Sequence, residues 1–496
     1  MVKHQRTDWI HILRGISVPR YGQTIGRFPS LCLGIYLLAW PSFVIQASGQ
    51  TPESPSDNSK ILRIHKYDLL NGLKTFVVQQ DEAAEVAVTL LIKAGSVADP
   101  PDKNGLANLV AQTLLMANPR KSNEQWREEI HSLDVDFKIT LEPEATLFEA
   151  SIPPKNVEAY LSLLNILILY PNFQPERVEP VKQALIKDQL GNPQIMELAE
   201  QRFRQLVFGR HPYGRSLRGD PESLKVVRVE DLTSFYNSYY IPNNAALVIV
   251  GNVTPSAIIP FVREKWGGWT KGTRPAFFFP KVGVRDNYSV QVVPKKGADW
   301  VGLIYGHIAP PRVTTDYFSL TVLNMVLGGL GRSSRLTAEF ERRHLSFQRL
   351  QSLFLFHETG GEFQVTASVP NESVSQALET ISDTIETLKQ QPVKEAELKA
   401  AQSALVNEFA AGLKIPARVA DHVVHMELYD LASDYLVAYP KRVEQISVER
   451  LQEAARTYLE PSRAVAVVVG DTDRLPPGLN KVSTQVPESN FKAEQK

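Results

Sequence analysis

A chain of 496 residues is longer than one compact core can organise and implies two or more domains. Its 54 basic and 54 acidic residues cancel, which excludes the one-sided charge of a nucleic-acid binder. Cys32 is the single cysteine, so a disulfide framework and a thiolate zinc site are excluded as well.

In chain order, the first segment reads as an export leader. Lys3, Arg6, Arg14, Arg20 and Arg27 stand against Asp8 alone, and a mostly apolar run follows from Leu31 to Ile45, ending near Ala47-Ser48-Gly49. The run has the length of a signal-peptide core and falls short of the roughly 20 residues that a spanning helix needs. Residues 1–49 are therefore expected to be a signal peptide or an uncleaved anchor, with the body in the periplasm or anchored to the membrane facing it. Residues 50–60 form a polar linker rich in Pro and Ser.

The body begins near Ile61. Asn71-Gly72 predicts a turn between two short strand-like runs. Lys74–Gln79 and Val86–Ala94 are rich in Val, Thr and Leu and predict strands. After a polar loop, residues 104–118 predict a helix. Leu106, Leu109, Val110, Thr113 and Leu114 share one stripe, while Asn108, Ala111 and Gln112 share another. Helices are expected over Trp126–Leu133, Asn156–Leu169, Glu176–Leu190, Gln194–Val207 and Asp231–Tyr239. Strands are expected over Phe137–Thr140, Ala145–Ile152 and Ala245–Val250.

The second half repeats the first. Val229-Glu230-Asp231-Leu232 is similar to Val448-Glu449-Arg450-Leu451, and Tyr239, Pro242, Ala245 and Gly251 match Tyr458, Pro461, Ala464 and Gly470. Every pair shares the offset 448 − 229 = 219. Such agreement predicts duplication of a unit too long for a solenoid repeat. The fold class is α+β: two homologous domains, 61–272 and 289–473, each a mostly antiparallel sheet packed with helices. Residues 273–288 would link them, and 474–496 would be a disordered tail.

At this point the chain resembles a known family. Tyr67 to Leu73, Lys93-Ala-Gly-Ser96, Gly105-Leu106-Ala107, His211-Pro-Tyr-Gly214 with Gly219, and Tyr240-Ile-Pro-Asn243 with Val250-Gly-Asn252 look like the pitrilysin/insulinase superfamily of inverted-motif zinc peptidases. Ser334-Arg335-Leu336 after a Gly-rich run adds a likeness to its mitochondrial-processing-peptidase-like bacterial branch. The resemblance implies peptidase-like domains and a zinc helix of the form His-x-x-Glu-His directly after Gly-Leu-Ala. There, two histidines bind the metal and the glutamate activates its water.

Carried over position by position, the first histidine falls on Asn108, the glutamate on Ala111 and the second histidine on Gln112. Asp188 is the carboxylate nearest the third-ligand position. Neutral amides are poor zinc ligands, and a methyl group moves no proton. No cofactor is expected on this chain, and zinc is expected in a partner subunit alone. Some members without the motif present an Arg and a Tyr from their second domain to substrate in a partner's site. Those positions fall here on Glu341 and Phe347, with Arg342 one residue away, and Phe347 has no hydroxyl to donate.

Other candidates read more simply. His422-Val-Val-His425 has helical metal-ligand spacing but suggests a polar face. His211 suggests a turn-stabilising residue. Gly328-Gly-Leu-Gly331 lacks the ending of a phosphate loop and suggests a flexible hinge, and the basic cluster from Glu341 to Arg349 a solvated helix end. The sequence therefore predicts a non-catalytic subunit that forms a peptide-binding chamber with a zinc-bearing homologue or a second copy of itself, with no nucleic-acid partner. The alternatives are a solitary pseudo-peptidase that binds peptides or unfolded polypeptide, and an active metallopeptidase with relocated ligands such as His422 and His425.

Overall fold

The computed structural model describes residues 62–116, 123–191, 194–276, 279–283 and 285–479. The expected leader, the linker that follows it and most of the expected tail lie outside the described residues.

The first half contains six strands, β1 (Ile64–Asp68), β2 (Lys74–Gln79), β3 (Val86–Ile92), β4 (Asp136–Leu141), β5 (Thr146–Ile152) and β6 (Ala245–Gly251). They form one sheet in the order β1-β2-β6-β3-β5-β4. Its pairings are antiparallel except β2 with β6, which run parallel with Val77 opposite Ile249. Its helices are α1 (Leu106–Met116), α2 (Asn123–Ser132), α3 (Val157–Leu169), α4 (Pro175–Leu190), α5 (Ile195–Phe208), α6 (Pro221–Val226), α7 (Val229–Tyr239) and α8 (Pro255–Trp266).

The second half repeats the plan. Strands β7 (Ser289–Pro294), β8 (Trp300–Ala309), β9 (Arg349–Phe356), β10 (Gly361–Pro370) and β11 (Val465–Gly470) form a sheet in the order β7-β11-β8-β10-β9, again with one parallel pair, β7 with β11. Its helices are α9 (Tyr317–Asn324), α10 (Arg335–Arg342), α11 (Val374–Gln390), α12 (Glu395–Gly412), α13 (Pro416–Leu428), α14 (Tyr435–Glu444) and α15 (Val448–Tyr458). Helices α7 and α15 obey the offset of 219 at both ends, 229 + 219 = 448 and 239 + 219 = 458. The halves are two copies of one α+β topology, the first with β1 added at its edge.

The strands explain how the halves join. A sheet with one wet face would alternate apolar and polar residues; β3, β6 and β11 are instead buried at every position. Alternate side chains of the first sheet serve two cores. Val77, Val88, Leu90, Leu247 and Ile249 pack beneath the helices of their own half. Phe76, Val78, Leu91, Val248 and Val250 point the other way, onto Val419, Ala420, Val423 and Val424 of α13, which belongs to the second half. The reverse also occurs: Ile304, Val465, Val467 and Val469 of the second sheet pack on Ala199, Phe203, Leu206 and Val207 of α5 from the first half. Helices α5 and α13 correspond to within two residues at the same offset, 195 + 219 = 414 and 208 + 219 = 427. Each half therefore lends the other its cover.

Polar contacts follow the same exchange. Glu427 on α13 accepts from Lys74 Nζ at 2.7 Å and Lys93 Nζ at 2.6 Å, both at strand ends of the first sheet. Arg204 on α5 meets the fully buried Glu362 on β10 at 3.2 Å. Gln80 Nε2 donates to Leu413 O at 2.8 Å.

The Gly-rich run 328–334 is not a free hinge. Met325–Gly329 is a π-helical turn, and a Cβ on Gly328 would lie 2.5 Å from Ser352 N on β9. The glycine is there because two backbones touch.

The exchange makes a prediction. Phe203 belongs by sequence to the first half and by packing to the second. Phe203→Ala should cost about 3–5 kcal/mol. Calorimetry should still show one transition for the whole chain; two separated transitions would contradict mutual dependence of the halves.

Candidate functional site

Helix α1 is the site's spine. Its start is capped from outside: the Asp99 carboxylate accepts from Gly105 N and Ala107 N, each at 2.7 Å. This satisfies two amides that the first helical turn leaves without intrahelical partners. Burial pushes the Asp99 carboxyl up to about 7 against those two bonds and the nearby Arg215. Arg215 also donates to Asp99 O, tying the loop after α5 to the start of α1.

Gly105 and Gly219 bring that loop still closer. Their φ values are +100° and +88°, and a Cβ on Gly219 would lie 2.6 Å from the Gly105 Cα. Both positions need the left-handed region, and neither has room for a side chain.

The loop delivers Arg218 to α1. Asn108 Nδ2 donates to Arg218 O at 3.3 Å. The Arg218 guanidinium reaches Asp188 on α4 at 3.2 Å and Glu197 on α5 at 2.9 Å. The structure thus gathers Asn108 and Asp188 around one arginine. Ala111 is wholly buried, and Asn108 and Gln112 are nearly so. The second stripe of α1 is not a polar face lining a reactive cleft; it is packed floor.

These donors do not fit a zinc ion. One position offers a methyl group, two offer amides, and the nearest carboxylate is committed to a guanidinium. Among the described residues, no three His, Cys, Asp or Glu side chains converge as a metal-holding group.

The second-half candidates lie elsewhere. Glu341 and Arg342 are exposed at the end of α10, and Arg342 pairs with Glu339 at 2.8 Å. Phe347 packs edge-on against Phe340, with ring centroids 5.8 Å apart. His425 lies between Asp421 Oδ1 at 3.2 Å and Glu142 Oε1 at 3.7 Å. Burial opposes its charge, but Asp421 and Glu142 prevail and raise it to about 10. The His422 ring lies tilted against Phe409, with centroids 5.1 Å apart. Among the described residues, His422 and His425 belong to no group of three metal-holding side chains.

His211 acts as a turn residue. Its Nδ1 accepts from Tyr213 N at 3.2 Å, and its Nε2 lies 3.0 Å from Pro280 O. Tyr213 then donates to Glu144, whose Oε1 also accepts Glu358 N from the second half at 2.7 Å. This junction, like Arg218, Glu197 and Asp99, carried no signal in spacing alone.

Fold and site together define a duplicated peptidase-like architecture in which α1 carries Asn108, Ala111 and Gln112 on its second stripe. Residues 75–220 match the family model for insulinase (peptidase family M16), and residues 227–405 match the model described as the peptidase M16 inactive domain. The chain belongs to this family, the pitrilysin/insulinase superfamily. It is 23% identical over 420 residues to an uncharacterised zinc protease of Mycobacterium tuberculosis, covering 84% of this chain and 95% of that protein. It is 20% identical over 433 residues to the mitochondrial-processing peptidase subunit beta of Lentinula edodes, covering 82% and 90%. Among solved structures, a protease from Helicobacter pylori superposes with a TM-score of 0.77 at 19% identity, covering 82% and 99%. A peptidase M16 inactive domain from Pseudomonas fluorescens does so at 0.76 and 21%, covering 84% and 100%.

Two measurements probe this region. Gly219→Ala combines a left-handed backbone with a steric clash and should cost about 3 kcal/mol in chemical denaturation. Glu144 has its carboxyl raised by burial from 4.5 to about 7. Protonation therefore favours the fold: that contribution is complete below about pH 4.5 and is lost as the pH rises through about 7. Glu144→Gln keeps the accepting oxygen and removes the charge. Its melting midpoint should gain on the parent's between pH 5 and 8; a pH-independent difference would refute the assignment.

Proposed function

We propose that this chain is a non-catalytic subunit of a pitrilysin-type metallopeptidase. It helps to form a peptide-holding chamber with a zinc-bearing homologue, outside the cytoplasm. One observation carries the reading. The two-domain frame is intact, while the helix that would hold zinc presents Asn108, Ala111 and Gln112, with no proton acceptor and no ligand pair. A hydrolase that lost its metal alone would keep the histidines; here the donors themselves are replaced.

The partner follows from the same reading. A peptidase-like frame without a site contributes to proteolysis through walls and contacts. A relative similar in sequence bears the name of a subunit, the beta subunit of mitochondrial-processing peptidase. The basic leader and the apolar run Leu31–Ile45 support export, with membrane anchoring through the same segment if the leader is retained. The second reading, a solitary peptide-binding module, is favoured by the replacement of the substrate-facing pair with Glu341 and Phe347.

The test is to express the full chain with and without a His-x-x-Glu-His homologue from the same cell. The chain alone should contain no stoichiometric zinc and cleave no peptide, and a chelator should leave its melting point unchanged. With the homologue it should co-purify and raise peptide turnover several-fold. Peptide affinity without any association would favour the solitary module. Zinc on the chain alone with chelator-sensitive cleavage would overturn both.

A further inference from the structure

We propose that Arg218, by engaging the carboxylate of Asp188 with its guanidinium, keeps divalent ions out of this site. The inference rests on the non-catalytic reading above and extends it to a residue that reading does not need. The family resemblance places the first zinc ligand at Asn108 and the third near Asp188. Arg218 reaches the two positions with different groups: its backbone carbonyl accepts from Asn108 Nδ2 at 3.3 Å, and its guanidinium meets Asp188 at 3.2 Å. The same nitrogen lies 2.9 Å from Glu197, so three helices, α1, α4 and α5, are joined through a single residue.

Charge explains why a cation is needed. Asp188 and Glu197 bring two carboxylates to one corner between α4 and α5. Both are about half exposed, so their mutual repulsion is partly screened, and the guanidinium between them relieves what remains. A metal relieves such repulsion only while it is bound. A guanidinium is charged at every ordinary pH and does not dissociate from the chain.

Backbone geometry holds it there. The Gly105–Gly219 contact presses the arginine's own loop onto the start of α1, and Arg215 anchors the same loop to Asp99 O. Arg218 therefore arrives on a fixed stalk. An entering dication would meet a resident positive charge and find its carboxylate already engaged.

The experiment compares two full-length proteins. Both carry a rebuilt ligand set, Asn108→His, Ala111→Glu, Gln112→His and Asp188→Glu; one also carries Arg218→Leu. Zinc per chain is measured by atomic emission after equilibration with a zinc buffer, and the unaltered chain is measured beside them. The arginine-free variant should retain on the order of tenfold more zinc than its Arg218 counterpart. Equal loading of the two, or loading of neither, overturns the inference. Zinc on the unaltered chain instead sinks the non-catalytic reading, so the two failures are distinguishable.

A second measurement avoids the rebuilt site. Arg218→Leu in the otherwise unaltered chain should speed amide hydrogen exchange at the end of α4 and the start of α5 by roughly tenfold, leaving α8 unchanged. Unaltered protection at both helix ends also overturns the inference.

Discussion

Two sheets that are each apolar on both faces cannot stand in water, and this constraint organises the whole molecule. The inner faces are covered by each half's own helices. The outer faces are covered by exchange, α13 onto the first sheet and α5 onto the second. The pairs Glu427 with Lys74 and Lys93, and Arg204 with Glu362, each with a buried carboxylate, sit at the margins of these contacts. Breaking one partner of such a pair strands a buried charge, so they oppose sliding of the halves more than they add stability. The chain behaves as one body with two pseudo-equivalent parts.

Against that background the altered helix is easier to understand. Helix α1 is buried on all sides, and a methyl at Ala111 suits a packed floor at least as well as a carboxylate. The loop that approaches it through Gly105 and Gly219 is placed by backbone contacts, not by ligands. The packing of α1 and the approach of that loop therefore require no metal. The charged corner left by Asp188 and Glu197 is balanced by Arg218 from the same loop.

Much of the fold could be read from residues. The run Lys74–Gln79 is a strand with those ends, and the expected helix over Glu176–Leu190 differs from α4 by one residue. The duplication was legible because α7, the turn after it and β6 repeat at one offset, and this stretch keeps its register in both copies. Helix α6 was not legible: its six residues are less than two turns, too few for an apolar period to show. The reciprocal cover was hidden for a different reason. All-apolar strands report burial on two sides but not which segment supplies the second side. At the site, the positions on α1 could be named from spacing. Their burial, the Asp99 cap and the Arg218 bridge depend on contacts more than 100 positions apart in the case of Asn108 and Arg218, 218 − 108 = 110.

The exchanged helices also bear on how the chain comes off the ribosome. Gly251 completes the first sheet, but Leu428, the last residue of its outer cover, is added 428 − 251 = 177 residues later. At about 5–20 residues per second that interval lasts roughly 10–35 s. Throughout it Phe76, Leu91 and Val248 have no native shelter, so the nascent first half is a ready client for holdase chaperones until its twin is synthesised.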